Sequence, residues 1–155
     1  ITLACAIPKK AKFDDIVDKL TQLGSARIIP LKTERVIVKL DNHKEALRLT
    51  RWRKIAQAAS QQSKRSDIPV IEPPKDLEDL LTQSQDFDLK LIPTLEGRRK
   101  TLKEIFSKIQ PRNILILIGP EGDFSAKEIA MALKSGFIPV TLGDLVLRIN
   151  LYVHD

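Results

Sequence analysis

Short apolar runs alternate along the chain with segments whose apolar residues are spaced three or four positions apart. The run Thr2–Ile7 predicts a strand, and the spacing within Phe13–Leu23 predicts a helix. Gly24 stands where a glycine commonly follows the end of a helix. Arg27–Leu31 predicts the next strand, so the chain opens with a strand, a helix and a second strand.

The same alternation continues along the chain. Lys44–Ser63 is the longest predicted helix, and Trp52 lies on its apolar stripe. Ile114–Ile118 is wholly apolar, which is typical of a strand buried on both faces of a parallel sheet. Ser125 and Glu128 have the spacing of a capping box, which predicts the start of a helix. The other predicted strands are Arg35–Leu40, Ile68–Ile71, Leu89–Ile92, Ile138–Thr141 and Leu145–Leu147, and the other predicted helices run from a cap at Asp76 to Thr82 and over Thr101–Ile109.

Repeated strand–helix units predict an α/β fold with a mostly parallel sheet and helices on both faces. The length of 155 residues fits one domain over positions 1–155. In such sheets ligands bind beyond the carboxyl ends of the strands. We therefore expect the functional site in the loops that follow Ile92, Ile118 and Thr141.

Composition narrows the function classes. Cys5 is the single cysteine, which excludes an internal disulfide. The chain has only two histidines in addition, so we expect no metal site. We find no apolar run long enough to cross a bilayer and no signal peptide, and we expect a cytoplasmic protein with no membrane partner. The net charge of +6 favours a polyanion, and the aromatic content of 5% points to phosphate contacts rather than base stacking.

Two loops carry the candidate chemistry. In Gly119–Ser125 the two glycines, Gly119 and Gly122, permit positive φ and close approach of the backbone to a ligand. The loop lacks the glycine patterns of dinucleotide and phosphate-binding loops, which disfavours both kinds of nucleotide site. Leu142–Arg148 is a glycine turn followed by an apolar run that ends in an arginine. On turn chemistry alone, a plain strand-to-helix turn and one more sheet strand remain the slightly favoured interpretations.

Together these loops resemble motifs of the SPOUT (α/β-knot) methyltransferases, and more narrowly the bacterial family that methylates N3 of a uridine in 16S ribosomal RNA. That family has Gly-Pro-Glu-Gly-Gly/Asp-aromatic-Ser and then Leu-Gly-x-x-Ile/Val-Leu-Arg. The resemblance covers nearly the whole chain. Further matching segments are Ile7–Lys10, Lys19–Gly24, Pro30 with Thr33–Arg35, Arg51–Trp52 with Ile55–Ala56, and Gln62–Ser63 with Arg65.

The resemblance implies a knotted fold, S-adenosylmethionine as methyl donor, 16S rRNA in the small ribosomal subunit as substrate, and a homodimer. It implies that main-chain groups of the loops hold the cofactor. The residues carried over are Leu91, Ile92, Pro93, Ile118, Gly119, Glu121, Gly122, Leu142, Gly143 and Leu147. Arg148 is the candidate catalytic cation, with a phosphate-binding or structural role as an equal alternative. Lys9 and Arg65 are the candidate RNA contacts.

Other basic residues also suit an RNA face, although a charge run is more often a solvated face. They are Lys10 and Lys12 before the first helix, Arg51, Arg53 and Lys54 on the long helix, and Arg98, Arg99 and Lys100 in a loop.

The sequence departs from the family pattern at both ends. After Arg148 the family continues with an acidic residue, Thr and Ala and then a helix, whereas this chain reads Ile149–Asp155. The family's N-terminal PUA-like barrel has no counterpart in the sequence. We expect weak cofactor binding, and micromolar affinity in calorimetry would contradict that expectation. Two alternatives follow: a non-catalytic RNA-binding remnant of the family, or a nucleotide-binding α/β domain of another class, which the missing phosphate motifs disfavour.

Overall fold

The computed structural model describes residues 1–9, 12–35, 41–95 and 97–142. The predicted strands Arg35–Leu40, beyond its first residue, and Leu145–Leu147 lie outside these ranges. The strands are β1 Thr2–Ala6, β2 Arg27–Lys32, β3 Val70–Ile71, β4 Lys75–Asp76, β5 Leu89–Pro93, β6 Lys100–Thr101, β7 Ile114–Ile118 and β8 Ile138–Thr141. The helices are α1 Phe13–Gln22, α2 Asn42–Gln62, α3 Leu77–Thr82, α4 Leu102–Phe106 and α5 Ala126–Lys134.

The eight strands form one sheet in which every pair of neighbours is parallel. Their order is β3-β2-β1-β7-β5-β8-β6, and β4 also pairs with β2. The predicted α/β class and mostly parallel sheet are therefore confirmed. The predicted knot depends on residues that follow position 142, which lie outside the described ranges.

Helices cover both faces of the sheet because the apolar side chains of the central strands alternate between the faces. On one face, Cys5 and Ile28 pack against α1 and α2, and Leu91 packs against α4. On the other face, Leu115 and Leu117 pack against α3 and α5. This double burial explains why β7 carries no polar residue.

Trp52 belongs to the core, as its place on the apolar stripe of α2 predicts. Its side chain is 2% exposed, and its ring lies 4.8 Å from that of Phe13, centroid to centroid. The indole nitrogen donates to Asp14 Oδ1 at 3.1 Å, so the one polar atom of the ring is satisfied. A base-stacking role for this tryptophan is excluded by its burial.

Several element boundaries differ from the sequence prediction. Asp76 precedes α3 as expected, but its side chain makes no capping hydrogen bond. Helix α4 ends at Phe106, short of the predicted Ile109, and begins with a capping box between Thr101 and Glu104. Strand β5 includes Pro93, which pairs with Val140 at the strand's last position, where the missing amide costs little.

The described residues show neither a membrane-spanning helix nor a group of metal-binding side chains. No helix in the described ranges is both long and apolar enough to cross a membrane. No three or more His, Cys, Asp and Glu side chains are grouped there so that they could hold a metal ion.

Candidate functional site

The three loops expected to form the site lie next to one another. Strand β5 lies between β7 and β8, with Leu91 level with Ile116 and Pro93 level with Val140. Parallel strands end at the same edge of the sheet, and neighbouring strands are about 4.8 Å apart. We call this edge the carboxyl rim and define it by Thr94–Leu95, Gly119–Ser125 and Leu142. The loops predicted from the sequence are thus adjacent in space.

Gly119 is the residue at which the loop after β7 folds most tightly on itself. A Cβ atom at Gly119 would lie 3.1 Å from Asp123 Oδ1, from Phe124 Cδ2 and from the Phe124 amide nitrogen. Contacts of this length are tighter than most Cβ contacts, so the neighbouring atoms would have to move by a few tenths of an ångström to admit a side chain. The predicted need for a small residue is explained here by contacts within the loop.

Gly119 and Gly122 permit a positive φ, but neither adopts it. The left-handed residue of the loop is Asp123, with a φ of 65°. Aspartate tolerates this conformation because its short side chain bonds locally. Its Oδ1 accepts a hydrogen bond from the Phe124 amide at 2.7 Å, and its own amide donates to the Pro120 carbonyl at 2.9 Å.

Within the described residues, the amides of Gly119 and Gly122 donate to no main-chain carbonyl outside the strand ladders. Backbone amides that face a ligand at the end of a parallel strand are a common means of gripping polar groups. The loop therefore fits a ligand held by main-chain groups, as the methionine and adenine parts of S-adenosylmethionine would be.

Residues that follow β1 and β2 hold this loop in place. The Ser125 hydroxyl donates to Glu34 Oε2 at 2.6 Å, and Arg35 Nη1 donates to the Gly122 carbonyl. The Lys9 amide donates to Glu121 Oε2 at 3.3 Å. We call the pair Glu34 and Arg35 the β2 clamp. Both residues match the family pattern, but nothing local in the sequence signals contacts between positions about 90 residues apart.

Glu128 joins the clamp to the first turn of α5. It is 4% exposed, and its carboxylate accepts from the Ser125 amide at 3.0 Å and from the Glu34 amide at 3.3 Å. The Ser125 hydroxyl in turn accepts from the Glu128 amide at 3.2 Å. The predicted capping box is confirmed, and it also fixes the end of the rim loop.

The side chains of the remaining predicted cofactor residues lie at different depths. Leu91 and Ile92 are 1% and 0% exposed and belong to the core, so only their backbone can face a ligand. Pro93 and Ile118 are half-buried, while Glu121 and Leu142 are exposed. The predicted residues Gly143, Leu147 and Arg148 lie outside the described residues.

The two candidate RNA contacts lie at opposite edges of the sheet. Lys9 is exposed and follows β1 at the carboxyl rim. Arg65 follows α2 near the amino end of β2, where its guanidinium donates to the carbonyls of Thr21 and Ser25 at 2.6 and 3.2 Å and pairs with Asp67 at 2.8 Å. These contacts give Arg65 a role in joining α1 to α2. Its RNA contact stays a prediction.

Comparison with known proteins shows the family of the chain. The family model for the RNA methyltransferase domain matches residues 1–150. The chain is 37% identical over 148 residues to the ribosomal RNA small subunit methyltransferase E of Mesomycoplasma hyopneumoniae, a match that covers 96% of this chain and 63% of that protein. It is 31% identical over 153 residues to the Bacillus subtilis protein of the same name, covering 96% and 60%.

Solved structures with bound S-adenosylmethionine are similar in fold. The Legionella pneumophila protein Lpg2936, in complex with that cofactor, has a TM-score of 0.85 and 37% identity, over 95% of this chain and 59% of that one. The methyltransferase E of Neisseria gonorrhoeae, also bound to S-adenosylmethionine, has a TM-score of 0.82 and 32% identity, over 95% and 60%. The chain spans about three fifths of the length of these relatives.

Proposed function

The chain belongs to the RNA methyltransferase domain family, and from this premise we propose that it transfers a methyl group from S-adenosylmethionine to N3 of a uridine in 16S ribosomal RNA. The observation that carries the proposal is the carboxyl rim, where the carboxyl ends of β5, β7 and β8 lie side by side. Relatives that share this fold at 32–37% identity are solved with S-adenosylmethionine bound.

The loop after β7 has the properties that such a cofactor requires. The β2 clamp and Lys9 fix the loop from three points, so its amides are oriented before a ligand arrives. A fixed orientation lowers the entropy that must be lost on binding. When bound, S-adenosylmethionine supplies an activated methyl group on a positively charged sulfur. The contribution of the chain is to position that group and the acceptor nitrogen.

The acceptor must lose a proton during the transfer. A bond forms between uridine N3 and the methyl carbon, the carbon–sulfur bond breaks, and the N3 proton leaves to solvent. Negative charge develops on the uracil ring as that proton departs, and a cation beside the ring lowers the barrier. We propose Arg148 for this role because it is the arginine of the matching Leu-Arg motif. The proposal extends to Gly143 and Leu147 as cofactor contacts.

Three further parts of the proposal come from the same premise. We propose the small ribosomal subunit as the partner, because the relatives are named as small-subunit rRNA methyltransferases. A cytoplasmic location follows from that partner. We also propose a homodimer, which light scattering on the purified chain tests directly: a molar mass near 35 kDa, twice the chain mass of 17.5 kDa, is expected.

The activity is tested on 30S subunits that lack the modification. The chain is incubated with methyl-labelled S-adenosylmethionine, the RNA is digested to nucleosides, and the products are separated by liquid chromatography. We expect label in 3-methyluridine. Label in another nucleoside would contradict the assigned position, and absence of label with RNA binding retained would favour the non-catalytic remnant.

A further inference from the structure

A basic segment lies at the outer end of the carboxyl rim. Lys100 is the first residue of β6 and pairs with Val140 of β8. On its other side, Val140 pairs with Pro93, the last residue of β5. Strand β6 therefore begins where β5 ends. Arg98 and Arg99 immediately precede Lys100, and the Arg99 Nη1 donates to the Thr94 carbonyl at 3.1 Å. This bond ties the basic segment to the loop after β5.

The same three residues line a hollow with an apolar wall. A cavity of about 350 Å³ is bordered by Arg98, Arg99 and Lys100 and by Ile138 and Pro139 of β8. We call it the β6 hollow. Cations on one side and an aliphatic surface on the other are complementary to a nucleotide, because its phosphate is charged and its sugar has an apolar face.

The cations of the hollow are available to a ligand. Arg98, Arg99 and Lys100 are all exposed, and none of them takes part in an ion pair with a described residue. The hydrogen bond to Thr94 uses one of the five N–H donors that a guanidinium carries. The neighbouring carboxylate of Glu104 accepts from the Thr101 amide at 3.1 Å and is engaged in the cap of α4.

We infer that the β6 hollow binds the sugar-phosphate backbone of the RNA substrate beside the methylated nucleotide. The inference rests on the proposed function and deepens it. Lys9 follows β1, and the hollow lies beside β6. The strand order between them is β1-β7-β5-β8-β6, so the two strands are four strand spacings apart, or about 19 Å. An RNA strand laid along the rim would meet cations at both ends and pass over the cofactor loops between them.

The test measures RNA affinity and its salt dependence. Fluorescence anisotropy follows binding of a labelled uridine dodecamer between 50 and 200 mM salt, because backbone contacts do not depend on sequence. The variant combines Arg98→Gln with Lys100→Gln and keeps Arg99, whose bond to Thr94 supports the loop. We expect roughly tenfold weaker binding and a salt slope reduced by about 1.4, since each phosphate contact on a single strand contributes about 0.7.

Two control variants separate position from charge. Lys108→Gln with Lys134→Gln removes the same charge from exposed residues that follow α4 and end α5, at the opposite edge of the sheet. It is expected to leave affinity within about twofold of the wild type, since remote charges are screened. Arg98→Lys with Lys100→Arg keeps both charges in the hollow and should keep the salt slope.

The inference is overturned by equal losses in the Arg98/Lys100 and Lys108/Lys134 variants, by no loss in the former, or by undetectable binding of the wild type at 50 mM salt. S-adenosylmethionine binding, followed by nuclear magnetic resonance, distinguishes this failure from failure of the proposed function. Unchanged cofactor shifts with unchanged RNA affinity reject only the β6 hollow. Absence of cofactor shifts in the wild type rejects the methyltransferase proposal itself.

Discussion

The conformation of the rim loop is determined by Gly119 and Asp123. A side chain at Gly119 would crowd three atoms of the loop at 3.1 Å, and Asp123 takes the left-handed position. The two glycines, which permit a positive φ, drew attention to this loop in the sequence, but nothing there indicated that Asp123 is its left-handed residue. The choice between Gly122 and Asp123 depends on the hydrogen bond from the Phe124 amide to Asp123 Oδ1, which only the folded loop reveals.

Gly119→Ala should destabilise the protein by about 1–3 kcal/mol, the usual cost of overpacking a site that cannot relax freely. The matched control is Gly122→Ala, because a Cβ there meets nothing closer than 3.5 Å, the Arg35 side chain. Urea unfolding of both variants measures the difference. Equal stabilities of the two variants would contradict the close packing at Gly119.

Cys5 lies in β1 and is 2% exposed, and burial raises the pKa of its thiol from 9.0 to about 12. The folded state therefore keeps the proton at pH values where the unfolded thiol loses it. The free energy of unfolding that comes from the buried, protonated thiol is fully present below pH 9. It decreases as the pH rises from 9 toward 12, by about 1.4 kcal/mol per pH unit.

Unfolding free energies of the wild type and Cys5→Ala, measured at pH 8 and pH 10, isolate that effect, because the other titrating groups are common to both proteins. We expect the wild type to lose more stability than the variant over this interval. Parallel losses would mean that the thiol titrates normally in the folded protein. Below pH 9 a thiol reagent should label Cys5 only after unfolding.

Helices α4 and α5 begin with the same kind of capping box but in different surroundings. Thr101 caps α4 in isolation, whereas Ser125 caps α5 and also donates to Glu34. The Thr101–Glu104 pair has the spacing of a capping box, but the sequence prediction places Thr101 inside the helix Thr101–Ile109 rather than at its cap. The link from Ser125 to Glu34 was not readable, since the pairing of positions 91 residues apart depends on the sheet order.

Thr101→Ala should cost about 1 kcal/mol, the usual value of a lost cap. Ser125→Ala should cost more, because it removes the same kind of cap and also leaves Glu34 without its hydroxyl donor. Chemical denaturation of the two variants gives the comparison. A loss for Ser125→Ala no larger than that for Thr101→Ala would show that the contact with Glu34 adds nothing to stability.

The β2 clamp predicts a coupling between β2 and cofactor affinity. Arg35→Gln removes the donor to the Gly122 carbonyl, so the rim loop should become more mobile and S-adenosylmethionine should bind several-fold more weakly. The control is Arg27→Gln, which breaks an exposed ion pair with Glu72 at the other end of the same strand. Hydrogen exchange of the Asp123 and Phe124 amides, which donate to the Pro120 carbonyl and to Asp123 Oδ1, should accelerate in the first variant alone.

Unchanged exchange at these amides in Arg35→Gln would reject the clamp as a positioning device. A loss of affinity without faster exchange would instead indicate a direct contact between Arg35 and the ligand. The two measurements together therefore separate positioning from binding.

For the molecule as a whole, the sheet order joins parts of the sequence that are far apart. The βα alternation predicted the class, the parallel sheet and the loops of the site, because periodicity is a local property. It did not predict β4 and β6, which have two residues each and show no period. Nor did it predict that β5 lies between β7 and β8, an arrangement that depends on side-chain packing across the sheet.

The charged residues show the same contrast between what the sequence predicts and what depends on the fold. The net charge of +6 is readable from composition and predicts a polyanionic partner. Composition does not reveal which cations are used within the fold. Arg65 bonds to Thr21, Ser25 and Asp67, while Lys9 and the β6 hollow lie exposed along the carboxyl rim.

The central claim is that the carboxyl rim holds S-adenosylmethionine, and a nuclear magnetic resonance titration tests it most directly, even for weak binding. S-adenosylmethionine is added to the ¹⁵N-labelled chain while the amide signals are followed. We expect saturable shifts at Thr94, Gly119, Gly122 and Leu142, and none at Gly24 or Gly136 at the opposite edge of the sheet. Shifts confined to that opposite edge, or no shifts at millimolar cofactor, would contradict the account.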